Sequence, residues 1–256
     1  MDGYMNFSII IPSRSASNLV PCIRAIREAG ETARIIVVDD TDGPALLIDM
    51  LNAAGQQRLP QFCDYRVVKG VKPFCFARNI NIGIRAGGED DVILLNDDAL
   101  LKTPHGFTLL AECTTNTGYG IVAAACDTVG NPNQFHKPKF AGEQPRDEPR
   151  MVCFVCVYIP RSTIHTVGLL DERFTGYGMD DDDYCLRVRN AGLKLGIFDG
   201  CYVDHSSLKS SFRGEAGAGG DFTGNMKLFI EKWGFDNREQ PRERSPYAAL
   251  FPLVKT

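Results

Sequence analysis

RIIVVDDTDG, residues 34–43, decides the fold. Four consecutive β-branched residues run into two aspartates and an Asp-Gly turn signal, which is the pattern of a buried strand ending on polar groups. The same unit recurs on both sides. FSIII (7–11) runs into Pro12-Ser13-Arg14, DYRVV (64–68) forms a further strand, and DVILL (91–95) runs into Asn96-Asp97-Asp98. Amphipathic stretches between them predict helices over about 18–29, from near Pro44, and over about 75–86. This βαβα rhythm predicts an α/β chain with a mostly parallel sheet covered by helices. Ligands of such sheets bind outside the C-terminal ends of the strands, where Arg14, Asp39, Asp97 and Asp98 stand.

Neither a GxGxxG nor a GxxxxGK[ST] phosphate loop follows any of these strands, so an ordinary dinucleotide or P-loop site is not expected. A nucleotide bound here would need a metal to hold its phosphates. Asp97 and Asp98 are hard oxygen donors of the kind that Mg²⁺ or Mn²⁺ takes in small number, beside waters and phosphate oxygens.

The second half is less regular. Strands are expected near 120–126, 151–159, 194–198 and 201–204, and a helix near Arg161 to Val167. Residues 127–150, rich in Pro, Gly and charge, read as a long functional loop. Residues 213–225, RGEAGAGGDFTGN, are glycine-rich and expected to be mobile. GYGMDDDDYCLRVRNAG (176–192) places four aspartates, Asp180 to Asp183, where a glycine-flanked turn becomes a helix. Acidic residues suit a first helical turn, and Asp183 and Arg187 stand at the i, i+4 spacing that braces a helix. Four adjacent like charges exceed what a cap needs, which leaves a reactive carboxylate as the second reading of the run. Neighbouring carboxylates raise one another's proton affinity while the helix terminus lowers it.

The 256 residues carry 44% hydrophobic and 23% charged side chains, enough for a substantial core, and we read them as one domain. A formal net charge of −4 without a basic stripe disfavours nucleic acid as a partner. The nine cysteines are scattered through apolar stretches, and Cys153 and Cys156 lie in a strand-like run without a second CxxC, so buried reduced thiols are expected. The opening MDGYMNFSIII lacks the pattern of a signal peptide, and nothing approaches a membrane span. The expected location is cytoplasmic, with any membrane contact peripheral.

Together these segments resemble the family 2-like glycosyltransferases of the GT-A fold, over about residues 6–210. FSIIIPSRS resembles the family's first strand and nucleotide loop, IIVVDDTDG its second strand with the nucleoside-binding acid, and FCFARNINIGIRAG its Ala-Arg-Asn-x-Gly helix. VILLNDDALL is similar to the metal-binding DxD segment, with Asn96 at the usual first Asp. VGLLDERFTGYGMDDDDYCLRVRNAG is similar to its Gly-Gly-Phe-Asp-Glu-x-Phe segment and Glu-Asp-x-Asp motif, with Asp180 where Glu is common.

The resemblance implies a single GT-A domain, with residues 1–100 as the nucleotide-binding half and 101–256 as the acceptor-binding and catalytic half. It implies a metal-dependent, inverting transfer of a hexose from a nucleoside diphosphate sugar, UDP-sugar by default, to a saccharide or glycoconjugate acceptor. Asp39 would accept a hydrogen bond from the base, with Pro12, Ser13, Arg14 and Arg78 around base and phosphates. Asn96 and Asp97 would face the ribose or metal, and Asp98 and His205 would hold Mn²⁺ or Mg²⁺. Asp181 would be the general base and Asp180 its partner on the acceptor side. Tyr177 and the two loops would contact the acceptor, while Trp233 reads as core. The alternatives are a sugar-nucleotide hydrolase, a nucleotidyltransferase, or a degenerate nucleotide- or glycan-binding module.

Overall fold

The computed structural model describes residues 6–42, 65–115, 117–142, 144–176, 178–210, 212 and 222–240. The helix expected from Pro44, the side chain of Tyr177 and most of the glycine-rich stretch lie outside them. Four strands, β1 (Phe7–Ser13), β2 (Arg34–Asp39), β3 (Tyr65–Lys69) and β4 (Asp91–Leu95), form the parallel half of one sheet in the order β3-β2-β1-β4. Beyond β4 the sheet continues with β8 (Cys156–Ile159), β6 (Tyr119–Cys126), β9 (Lys194–Asp204) and the two-residue β5 (Leu100–Leu101), while β7 (Arg146–Asp147) pairs with β9. β8 runs antiparallel to both β4 and β6, and β6 is parallel to β9. Two reversals restore direction, so the C-terminal ends of β1, β2, β3, β4, β6 and β9 share one sheet edge.

Alternation along the strands builds two cores. Ile9, Ile11, Ile35, Val37, Ile93 and Leu95 face α1 (Ala16–Glu28) and α3 (Gly106–Thr114). Ile10, Ile36, Val38, Val92 and Leu94 face α2 (Phe76–Gly87), α4 (Arg161–Val167) and α5 (Asp180–Asn190). Both faces are therefore covered, which is why β1 is buried along its whole length. Gly83 of α2 has to be glycine: a Cβ there would stand 2.3 Å from Ile10 Cγ2.

Several elements depart from the sequence reading. β8 begins only at Cys156, and the strands expected at 194–198 and 201–204 are one strand with a register shift between Ala124 and Ala125 of its partner. The loop 127–150 contains two 3₁₀ turns and β7. Residues 222–225 are not mobile loop but the first turn of α6 (Phe222–Trp233). A third cluster, Phe174, Met179, Leu186, Phe229 and Trp233, seats α6 against α5.

Candidate active site

The shared sheet edge gathers the polar strand ends. Ser13 is fully buried, and its hydroxyl donates to Asp97 Oδ2 at 2.6 Å, so it orients that carboxylate across the β1–β4 gap. Pro12 is buried in the strand one residue earlier. Asp39 closes β2: its Oδ1 accepts from the Thr41 backbone N–H (2.8 Å) and hydroxyl (2.7 Å), and its Oδ2 accepts from Lys69 Nζ at 3.1 Å. Arg14 lies over the Phe212 ring, 5.5 Å from its centroid. Arg78, in the first turn of α2, bonds to Glu172 Oε2 (3.4 Å) and the Pro73 carbonyl (3.3 Å).

Asp98, after β4, and His205, after β9, meet with His205 Nε2 3.2 Å from Asp98 Oδ1. His205 Nδ1 lies 2.7 Å from the Thr128 carbonyl, an acceptor only, so Nδ1 carries a proton. In the neutral imidazole, Nε2 then presents a lone pair to a carboxylate oxygen. That contact is favourable only with a proton on Nε2 or a cation shared by the two atoms. A carboxylate oxygen and an imidazole oriented by a backbone carbonyl form a donor set suited to Mn²⁺ or Mg²⁺. Among the described residues no three His, Cys, Asp or Glu side chains converge on one point. The pair would supply two ligands and leave positions for phosphate oxygens and water.

The four aspartates divide by environment. Gly178 (φ 81°) and Met179 (φ 72°) take left-handed conformations just before α5, a costly state for Met179 that its burial in the third cluster holds in place. Asn225 Nδ2 of α6 pins the turn by donating to the Gly178 carbonyl at 2.7 Å. Asp183 is fully buried: it accepts from Arg187 Nε at 3.0 Å and Trp233 Nε1 at 2.8 Å, and Lys232 Nζ stands 2.7 Å away. It is structural, as the i, i+4 spacing implied, and it ties α6 to α5. Asp182 accepts from Gln240 Nε2 at 3.2 Å. Burial, followed by the charge of Asp181, pushes its carboxyl up to about 8.

Burial and the Asp181 charge raise Asp180 well above the ordinary carboxylate range. Asp181 is only half-buried. Burial pushes it up to about 6, against the lowering effect of backbone hydrogen bonds from Asp182, its own N–H and Phe154. Burial thus raises all three, and with their charges interacting they titrate as one cluster. Burial outweighs the helix terminus here, a balance the sequence leaves open.

One short segment joins the two halves of the site. The Val152 N–H reaches Cys185 Sγ of α5 at 3.4 Å, while the Val155 carbonyl accepts from the Asn96 N–H at 2.9 Å. Gln134, fully buried, grips this segment on both sides. Its Oε1 accepts from Cys153 N at 2.9 Å, and its Nε2 donates to Cys153 O (3.2 Å) and Ala124 O (3.3 Å). Neither Gln134 nor Lys232 was legible as a site residue, because the partners of Gln134 lie 10 and 19 positions away, those of Lys232 lie 49 and 61, and no local pattern marks them.

The buried Asp183 network has a measurable consequence. Asp183→Ala would leave Arg187 without its carboxylate and Lys232 with Asp171 alone, and is expected to cost about 3–5 kcal/mol. The check is the urea midpoint, which should fall well below that of the parent protein.

Residues 8–159 match Glycosyl transferase family 2, more than half of the chain. An uncharacterized protein, y4gI of Sinorhizobium fredii, is 26% identical over 220 residues, an alignment covering 75% of this chain and 23% of that protein. A crystal structure of GalNAc-T7 with UDP, GalNAc and Mn²⁺ superposes with a TM-score of 0.70 at 13% identity, over 99% of this chain and 52% of that one. The mannosyltransferase PcManGT from Pyrobaculum calidifontis, in complex with GDP-Man and Mn²⁺, gives a TM-score of 0.62 at 14% identity, over 81% and 59% of the two chains. The chain therefore spans about a quarter of the curated relative and little more than half of these two structures. A sheet whose C-terminal edge gathers Asp39, Asp98, His205 and the α5 aspartates, in a chain matched over residues 8–159, makes this protein a member of glycosyl transferase family 2 with the GT-A fold.

Proposed function

We propose that the protein is a metal-dependent inverting glycosyltransferase that moves a hexose from a nucleoside diphosphate sugar, with UDP-sugar the favoured donor, to an acceptor hydroxyl. The observation that carries this reading is the state of Asp181. It is the partly exposed member of a buried acidic turn, raised by burial to about 6, on a helix held to the segment 152–155, which in turn meets Asn96 beside the Asp98–His205 pair. The UDP and GDP-mannose held with Mn²⁺ by the two similar folds support a nucleotide sugar as donor and a divalent cation beside it.

In this mechanism Asp181 takes the acceptor hydroxyl proton as that oxygen attacks the anomeric carbon, at a general-base contact of about 3 Å. The bond from that carbon to the phosphate oxygen breaks on the opposite face, and its electron pair leaves with the nucleoside diphosphate. A single displacement of this kind inverts the anomeric centre. When bound, a divalent cation supplies charge neutralisation to the leaving diphosphate. Asp98 and His205 would hold that cation, with Asp97 oriented by Ser13 beside it, while Asp39 would accept from the nucleobase. Asp180, whose carboxyl is raised by burial and by the Asp181 charge, would stand beside Asp181 on the acceptor side.

Residues 1–100 would serve the nucleotide and 101–256 the acceptor and the chemistry. Among the described residues no helix is long and apolar enough to cross a membrane, and eight cysteines are free of disulfides. The free thiols favour a reducing, cytoplasmic location. The test is calorimetry with UDP, GDP and ADP, each with and without Mn²⁺. Tight binding of UDP or GDP that needs Mn²⁺ is expected, and metal-independent binding would remove the support for the Asp98–His205 assignment.

A further inference from the structure

Two buried amides on the C-terminal arm, α6 and the residues after it, hold the acidic turn at both ends. Asn225 is 3% exposed: its Oδ1 accepts from the Gly176 N–H at 3.4 Å, and its Nδ2 donates to the Gly178 carbonyl at 2.7 Å. One side chain therefore spans the glycines on both sides of position 177. A left-handed methionine persists only where its surroundings over-determine it. Met179 has that support from the grip on Gly178 and from its own burial in one cluster with Phe229 and Trp233 of α6.

At the other end, Gln240 bridges two residues of α5. Its Nε2 donates to Asp182 Oδ1 at 3.2 Å, and its Oε1 accepts from Arg189 Nη1 at 3.1 Å. Arg189 Nη1 also donates to the Arg150 carbonyl at 3.3 Å, where the segment leading to β8 begins. Between the two amides, Trp233 Nε1 and Lys232 Nζ hold Asp183. The arm thus sorts four residues that the sequence makes alike. Asp182 and Asp183 are buried with the arm on their carboxylates, Asp180 is buried, and Asp181 is the partly exposed one. All of these contacts come from residues beyond the matched segment 8–159.

We infer that Asn225 and Gln240 are positioning residues of the proposed transfer, locking the turn before α5 and the Asp182 side chain so that Asp181 is the carboxylate turned to an acceptor hydroxyl; this rests on the Asp181 assignment above. Both act through the turn and the helix rather than on the reacting atoms.

The test is a ¹³Cγ-aspartate NMR titration of the full chain, with the Asp181 and Asp182 signals assigned from Asp181→Asn and Asp182→Asn. Burial has pushed Asp181 up to about 6. Asn225→Ala releases Gly178 and lets water reach the turn, so the main Asp181 step should move down by about one pH unit, toward the ordinary carboxylate value. Gln240→Leu keeps the bulk but takes a donor from the charged form of Asp182, whose step should move up by a similar amount. The other groups facing the pair stay the same in both variants: Asp180, Asp183 and Cys185 on α5, with Arg150 and Cys153 before β8. Trp233 is the only tryptophan of the chain, so its one indole N–H signal reports whether α6 is still seated on Asp183, and it should keep its parent position. Calorimetry with Mn²⁺ and UDP or GDP should give the parent affinity in both variants. The inference is overturned if Asp181 and Asp182 titrate in the two variants as in the parent, or if the shifts come only with displacement of the Trp233 signal, which would reduce both amides to props of α6. Parent-rate turnover in Asp181→Asn would remove the base reading and the inference with it, a result separate from either titration.

Discussion

Replacing Asp181 by Asn is expected to lower the transfer rate by about 10²–10⁴-fold, with Mn²⁺-dependent nucleotide affinity unchanged. Asn keeps the shape and the acceptor oxygen for the Phe154 and Asp182 N–H groups but cannot take a proton. The pH profile gives an independent readout. The parent enzyme needs the ionised carboxylate, so its rate should fall as pH drops through about 6, where burial has placed Asp181. The groups facing it are Asp180 and Asp182 on its own helix, Cys185 one turn on, and Cys153 from the segment before β8. That acid limb belongs to the cluster of interacting carboxyls as a whole. Asp182→Asn should shift it modestly downward and leave the plateau, because it removes one of the carboxyls whose charges interact with Asp181. Asp181→Asn should abolish the limb. Turnover at the parent rate in Asp181→Asn would sink the base assignment, and a loss of nucleotide affinity of equal size would mean that the turn before α5 had moved.

The parts of this site that could be read ahead of the structure share a physical cause. Strands buried on both faces have to be apolar and are mostly β-branched, so FSIII, RIIVV and DVILL announced themselves and their polar termini. Asp183 and Arg187 were legible because helix geometry sets which residues meet four positions apart. β5 was not, because two residues carry no periodicity, and α3 was not, because it opens on glycine after a left-handed His105 (φ 51°) and lacks a side-chain cap. Asp182 gained its partner from Gln240, 58 positions away, and Asp181 is tuned in part by the Phe154 backbone, a donor every residue but proline possesses. Trp233 was read as core and is core. That its ring N–H would seat on Asp183 depends on how α6 docks, which no local pattern encodes. The fold of the parallel half of the sheet therefore followed from burial and period, whereas the tuning of the aspartates required the tertiary packing of 150–155 and 222–240.

Asp98→Ala and His205→Ala should each weaken Mn²⁺-dependent nucleotide binding by more than about 100-fold, since even loss of an outer partner of a metal ligand costs 10–100-fold. The two variants should differ in what remains. Asp98→Ala removes the anionic ligand, so residual nucleotide binding should no longer respond to Mn²⁺. His205→Ala leaves the carboxylate, and saturating Mn²⁺ should recover part of the affinity. Asp98→Ala also removes the carboxylate that faces His205 Nε2, with and without Mn²⁺. The Nδ1–Thr128 contact is on the opposite side of the ring and should hold the tautomer in both states. Calorimetry across a Mn²⁺ series and the imidazole ¹⁵N shifts measure these effects separately. Nucleotide binding that keeps its full Mn²⁺ response in Asp98→Ala would place the cation elsewhere and reduce the Asp98–His205 contact to an ordinary ion pair between β9 and the loop after β4.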